Sequence, residues 1–274
     1  MLHSLFTNNP NRTFKVFIMH TNIKPKDIHS LEQFVNKNGS ELFNIQVDGQ
    51  HFDHAPILMH YTKEMYYRLL AFKFLPKELD RILYLDPDML VLNPIDQLYE
   101  MDMGKHLFAA ASHEKISLKE INRIRLLPYE IDAYYNSGVL LMNLKEQRKV
   151  IKEDRIFKFV EENKKKLILP DQDILNALYS KYIWSLEETI YNYDARYYNY
   201  YKLLSNHKID MDYVINHTVF LHFCGKKKPW KSNYSGRFHA LYKHYEKKAL
   251  RETYGTGQEL LQPASVSPVR ITCT

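Results

Sequence analysis

An apolar run that stops abruptly at two carboxylates, Arg81-Ile82-Leu83-Tyr84-Leu85-Asp86-Pro87-Asp88, limits the possible folds more than any other stretch of this 274-residue chain. The run predicts a strand buried on both faces, and Pro87 removes a backbone donor and stiffens the turn between the acids. Asp86 and Asp88 lie two positions apart at the strand end, so both can point to one side and share a cation with diphosphate oxygens. Carboxylates delivered by the end of a buried strand mark an active-site edge in open α/β sheets. Asp is also common where strands run into loops, so the pair taken alone does not separate a site from a turn.

The surrounding segments alternate in type. Residues 14–20 and 43–47 read as strands. Residues 23–38 and 65–74 carry apolar side chains at helical spacing, the second run stopped by Pro76. Further strands are expected at 81–85, 89–92, 107–111, 138–142 and 217–223, and helices at 154–166 and 174–180. This alternation predicts an α/β fold. Residues 1–254 are expected to form one unit, since α/β domains often reach this length. From Gly255 the composition shifts to Gly, Gln, Pro, Ser and Val without periodicity, so residues 255–274 are expected to be a disordered or appended tail. The tyrosine-rich stretch 191–201 could line a sugar site by stacking or pack over the sheet.

Composition narrows the function classes. Hydrophobic residues at 45% and charged residues at 26% exclude disorder as the overall state. Lys plus Arg outnumber Asp plus Glu, 38 to 32, and the resulting +6 favours anionic partners: nucleotides, acidic glycans or membrane headgroups. No long basic run, zinc-finger, RNP or helix-turn-helix signature is present, so nucleic acid is not an expected partner. Two cysteines, Cys224 and Cys273, make no disulfide framework and suit a reducing, cytoplasmic setting. Residues 1–11 lack the features of a signal peptide and no apolar run approaches a membrane span. Membrane contact is therefore expected to be peripheral at most, at the inner face, through Lys243, Lys247, Lys248 and Arg251; a solvated helix end explains those charges equally well.

Three further constellations bear on chemistry. Asp171-Gln172-Asp173 follows Pro170 and opens a helix, where either acid could serve as an N-cap. Asn136-Ser137-Gly138 precedes an apolar run and reads as a tight turn, Gly138 letting backbone approach backbone. His222-Phe223-Cys224-Gly225-Lys226-Lys227-Lys228-Pro229-Trp230 says more. A histidine at a strand end, a glycine and a lysine cluster suit a loop that closes over phosphate, with His222 as a metal ligand and Lys228 neutralising a leaving diphosphate. The bland alternative is a solvated lysine run. Zinc is not expected, because no second Cys or His stands at a ligand spacing.

Taken together and in order, these residues resemble glycosyltransferase family 8, the retaining group that includes glycogenin and bacterial galactosyl- and glucosyltransferases. The carriers are Glu64-Met65-Tyr66-Tyr67-Arg68-Leu69-Leu70, Leu83 to Asp88, Tyr135 to Leu144, Asp171 to Asn176, and His222 to Trp230. The resemblance covers residues 1 to about 245 and implies a GT-A fold, a mixed, mostly parallel sheet flanked by helices. It implies that Asp86, Asp88 and His222 bind Mn²⁺ or Mg²⁺, and that Arg68 contacts the UDP-sugar donor. By the same resemblance Asn136, Asp171 and Gln172 surround the transferred glucose or galactose, Gln172 beside the anomeric carbon, while Gly225 and Lys228 belong to the loop over the diphosphate. The acceptor would be a glycan, a lipid-linked sugar or a protein, in cell-surface glycan assembly. One departure stands out: Met1 to Pro10 looks like the end of the helix that follows the family's first strand. That strand, with its acid- and tyrosine-bearing loop for ribose and uracil, is expected to be missing.

Two other readings fit parts of the chain. A haloacid-dehalogenase-type phosphatase would recast Asp86, Asp88, Asp171 and Asp173 as one metal site, but has no place for the loop 222–230. A catalytically impaired relative or a carbohydrate-binding protein would keep the fold without turnover.

Overall fold

In the computed structural model, residues 1–48, 52, 55–56, 63–112, 124–129, 131, 133–254 and 271–273 are described. A helix at Leu2–Asn8 leads into β1 (Lys15–His20), the helix Pro25–Lys37 and β2 (Glu41–Gln46). A 3-10 turn and the helix Tyr67–Phe74 precede β3 (Arg81–Leu85), which runs through Asp86-Pro87-Asp88 into β4 (Met89–Val91). Next come β5 (Phe108–Ala111), β6 (Val139–Asn143), the helices Leu144–Val150, Glu153–Asn163 and Pro170–Tyr179, and β7 (Ile183–Leu186). The C-terminal third supplies β8 (Tyr193–Asp194), the helices Tyr198–Leu204 and Met211–His217, β9 (Phe220–His222), the helix His239–Tyr254 and β10 (Ile271–Cys273).

The strands form two sheets. The larger has the order β2-β1-β10-β3-β6-β5-β7, with β1/β2 and β5/β7 parallel and β6 antiparallel to both β3 and β5. β1, β3, β5 and β6 are buried along nearly their whole length, so their sequences are largely apolar. The two-residue alternation still sorts them. Phe17, Ile82, Tyr84, Leu140 and Met142 enter one core cluster, while Val16, Ile18, Leu83, Leu85, Val139 and Leu141 enter the other. This is the α/β architecture expected from the alternation of elements, with the mixed sheet that the family resemblance implies.

The smaller sheet, β4-β9-β8, was not foreseen as a separate layer. β4 pairs antiparallel with β9, opposing Met89 to His222. The strand expected at 217–223 is shorter, because residues 211–217 are helical, with Asp210 accepting from Tyr213 N as their N-cap. Within the tyrosine-rich stretch, Tyr193, Tyr198 and Tyr201 are buried with Leu221, Phe223 and Phe238 under this sheet. Of residues 255–274, only Ile271–Cys273 fall among the described residues, and they lie as β10 between β1 and β3, antiparallel to both. No described helix is long and apolar enough to cross a membrane.

Candidate active site

The two sheets part at Asp86-Pro87-Asp88, where the chain leaves β3 of the large sheet for β4 of the small one. The Met89–His222 register then sets His222 beside Asp88, and Phe223 N donates to Asp88 O at 2.9 Å. His222 Nε2 lies 3.1 Å from Asp88 Oδ1 and 3.9 Å from Asp86 Oδ2. One potential ligand atom from each of the three residues falls within 4.8 Å of the others. Residues 134 positions apart meet only because the strand pairing brings them together.

The shell around them is ordered by charge. Arg68, buried on the helix Tyr67–Phe74, pairs with Asp86 at 3.0 Å and with Asp171 at 2.9 Å, and donates to the Ser137 carbonyl at 2.8 Å. Tyr84 OH donates to Asp86 Oδ1 at 2.7 Å. Lys228 Nζ pairs with Asp88 Oδ2 and donates to Phe223 O. Burial acts to raise the Asp88 pKa, but His222 and Lys228 outweigh it and hold the carboxyl well below the usual carboxylate range. For His222 burial lowers the pKa while Cys224 and Asp88 raise it, and the balance lies well above the ordinary value. Since burial pushes the Cys224 thiol up, that group is neutral near pH 7 and Asp88 is the charge that matters.

Two residues that sequence reasoning left out complete the arrangement. Asn192 Oδ1 sits 2.9 Å from His222 Nδ1; an amide oxygen only accepts, so Nδ1 carries the hydrogen and Nε2 is left to face the carboxylates. Tyr84 is the second, steering Asp86 from inside the strand. Alternation along β3 puts Tyr84 and Asp86 on one face, a usable signal; Asn192 has none, because its meeting with His222 depends on the short parallel pairing of β8 with β9.

The turn Asn136-Ser137-Gly138 is part of the site as well. Gly138 N donates to Asn136 Oδ1 at 2.7 Å, and Asp86 N donates to Gly138 O at 2.8 Å. A Cβ on Gly138 would stand 2.4 Å from His222 Cε1 and 3.0 Å from Asp86 Oδ2, so glycine leaves room that a side chain would fill. Asn136 Nδ2 approaches Gln172 Oε1 at 3.5 Å, and Ser137 Oγ donates to Asp171 at 3.2 Å. Gly225, at φ +84, carries the loop past Arg196, and a Cβ there would stand 2.8 Å from Arg196 Nη1. Arg68, Lys228 and the Asn136-Ser137-Gly138 turn thus lie against the Asp86, Asp88 and His222 group, while Asp171 meets it through Arg68 and Gln172 through Asn136. Gly225 lies three residues beyond His222, against Arg196.

Neither Asp171 nor Asp173 is a helix cap. The N-cap is Leu169, with no side-chain cap bond, and Asp171 turns to Arg68 instead. Asp173 is fully buried, accepting from Arg125, from Tyr134 at 2.6 Å and from Ile168 N and Leu169 N. Its carboxylate is committed to structure, so the four-aspartate site of a dehalogenase-type phosphatase does not assemble.

A sequence model described as Glycosyl transferase family 8 matches residues 1–234. The chain belongs to glycosyltransferase family 8. This family 8 transferase is 30% identical over 257 residues to general stress protein A of Bacillus subtilis, covering 89% of this chain and 86% of that protein. It is 26% identical to a lipopolysaccharide 1,2-glucosyltransferase of Escherichia coli over 83% of this chain and 67% of that one. To a lipopolysaccharide 1,3-galactosyltransferase of Salmonella typhimurium it is 22% identical, over 84% and 67%. Among solved structures, galactosyltransferase LgtC in complex with donor and acceptor sugar analogues aligns with a TM-score of 0.74 at 21% identity, over 90% of this chain and 89% of that one. The fold is GT-A, and the chain is a glycosyltransferase.

Proposed function

We propose that the chain is a retaining, Mn²⁺-dependent hexosyltransferase that moves glucose or galactose from a UDP-sugar to a glycan, lipid-linked or protein acceptor. The observation that carries the reading is the convergence of Asp86, Asp88 and His222 from two sheets within 4.8 Å. Two carboxylates and an imidazole, each offering one ligand atom within 4.8 Å of the others, suit Mn²⁺. A divalent cation bound there supplies positive charge to the diphosphate oxygens of the donor. The names of the lipopolysaccharide glucosyl- and galactosyltransferases it resembles support a hexose donor and a glycan acceptor.

The chain's own residues have separable tasks. Arg68 fixes the Asp86 and Asp171 carboxylates, so the ligand geometry is set before donor arrives. Lys228, on a flexible stem, can shift its ammonium from Asp88 to the departing diphosphate, with Gly225 turning the loop towards it. Asn136, Asp171 and Gln172 hold the sugar. A covalent route to retention needs a carboxylate nucleophile, and the Gln172 amide is a poor one. We therefore assign same-face substitution: the acceptor hydroxyl attacks beside the leaving diphosphate, whose oxygen takes the proton, while Asp171 steadies the sugar by hydrogen bonding.

The test is donor hydrolysis. With Mn²⁺ and UDP-glucose or UDP-galactose, slow UDP release is expected without acceptor, and Asp88→Asn should abolish it while retaining the wild-type circular dichroism and melting curve. Unaltered turnover in that variant would remove Asp88 from the site. Absence of UDP release from either donor in the wild type would favour a carbohydrate-binding protein.

A further inference from the structure

Beyond the group at Asp86, Asp88 and His222, the fold holds a cavity of about 710 Å³ that none of those three residues lines. Its wall begins at Phe223 and Cys224, directly after His222, and continues through Lys227; the other sides come from residues 195–199 and 234–237. Among the described residues, four cations from these three segments line it, Arg196, Lys226, Lys227 and Arg237, and no carboxylate does. Of these, Arg196 alone has an acidic partner among the described residues: Asp194, fully buried, takes its Nε and Nη2, while Nη1 lies against Gly225. Arg237 stacks over the Tyr198 ring at 4.5 Å, and among the described residues neither it nor Lys226 or Lys227 is in a salt bridge.

Three uncompensated charges around a concavity focus field on whatever enters it, unlike the same charges spread over a convex surface. The aromatic part of the lining includes Tyr234, which is half-buried, while Tyr198 and Phe223 are buried behind the wall. Cations beside an aromatic ring suit a sugar that bears an oxyanion. The wall shared with residues 222–225 puts such a sugar next to the group proposed to bind the donor diphosphate.

We infer that this cavity is an acceptor subsite and that the acceptor is an anionic glycan, a sugar carrying a phosphate or carboxylate group. The inference rests on the donor reading above, and its test separates the two. Protein saturated with Mn²⁺ and UDP, so that the donor region is filled, is titrated calorimetrically with methyl glucoside, methyl glucoside 6-phosphate and methyl glucuronide. At least one of the two anionic sugars should bind tenfold or more tightly than the neutral one, with affinity falling as salt rises. The comparison of the two anionic sugars identifies the oxyanion. The K226Q/K227Q/R237Q variant should lose this preference while its donor hydrolysis stays at the wild-type rate. Equal affinity for neutral and charged sugars overturns the inference, as does a variant that retains the preference. A fall in donor hydrolysis in the variant would assign the cavity to the donor and overturn it too. If UDP itself fails to bind, the donor reading fails, and the same sugars titrated without UDP still decide whether the cavity takes an anion.

Discussion

Gly138 holds the tightest constraint in the site, because the imidazole of His222 occupies the space its side chain would need. In Gly138→Ala the new methyl group must push either the buried imidazole or the Asp86 carboxylate aside. Mn²⁺ affinity should fall about 10- to 100-fold, the range typical of disturbing groups that orient metal ligands, with little change in the melting temperature; electron paramagnetic resonance of free Mn²⁺ measures the former. Lys228 makes a different prediction, since its ammonium is the charge closest to Asp88 that is free to move. Lys228→Ala should lower kcat by roughly 100-fold, as loss of one preorganised charge at a leaving group does, and leave the glucose-to-galactose preference unchanged. A shifted donor preference would show that the lysine contacts the sugar instead. The acids, the histidine and the lysine were legible because each stands in a run of unusual chemistry. Tyr84 shares a strand face with Asp86 and could have been read with it, whereas Asn192 could not, because an asparagine has many uses and only its tertiary neighbour gives it one.

The helix Pro170–Tyr179 shows how one element divides its polar residues between structure and chemistry. Asp171 and Asp173 look alike in sequence, both in the first turn after a proline. In the fold Asp171 faces Arg68 and the site, while Asp173 is buried against Arg125, whose side chain is 14% exposed. Removing one partner of such a pair leaves a charge without compensation, and Arg125→Ala should cost about 3 kcal/mol. Urea unfolding followed by circular dichroism would read this as a lower midpoint with an unchanged slope, and donor hydrolysis in native buffer should be retained. No change in midpoint would mean that Tyr134 and the Ile168 and Leu169 amides satisfy Asp173 without Arg125. Local pattern reads a helix start well enough but does not tell which acid the tertiary structure uses, since that depends on what the opposite element presents.

Across the whole molecule the least expected feature is β10, which lies antiparallel between the mutually parallel β1 and β3. Thr272 and Cys273 pair with both neighbours, Phe17 and Val16 on β1 and Tyr84 and Leu83 on β3, while Ile271 pairs with Leu85 alone, all in the middle of the sheet. Removing residues 255–274 would leave facing edges of β1 and β3 without partners, a cost of about 2 kcal/mol or more given roughly 1 kcal/mol for each hydrogen bond. The melting temperature should drop by roughly 4–8 °C, and calorimetry of the shortened chain would measure it; an unchanged transition would show that β1 and β3 do not depend on β10. Nothing in residues 271–273, read in sequence, marks them as the strand that lies between β1 and β3.

Strand and helix alternation, the apolar runs and the acids at the end of β3 follow from the chain read in order. Burial periodicity and turn chemistry are local, and each is written within a dozen residues. The split into two sheets, the opposition of Met89 and His222, the separate uses of Asp171 and Asp173 and the cationic cavity behind Cys224 came only with the tertiary structure. They rest on contacts between segments far apart in sequence, whose pairing depends on how whole faces pack and on no pattern within either segment.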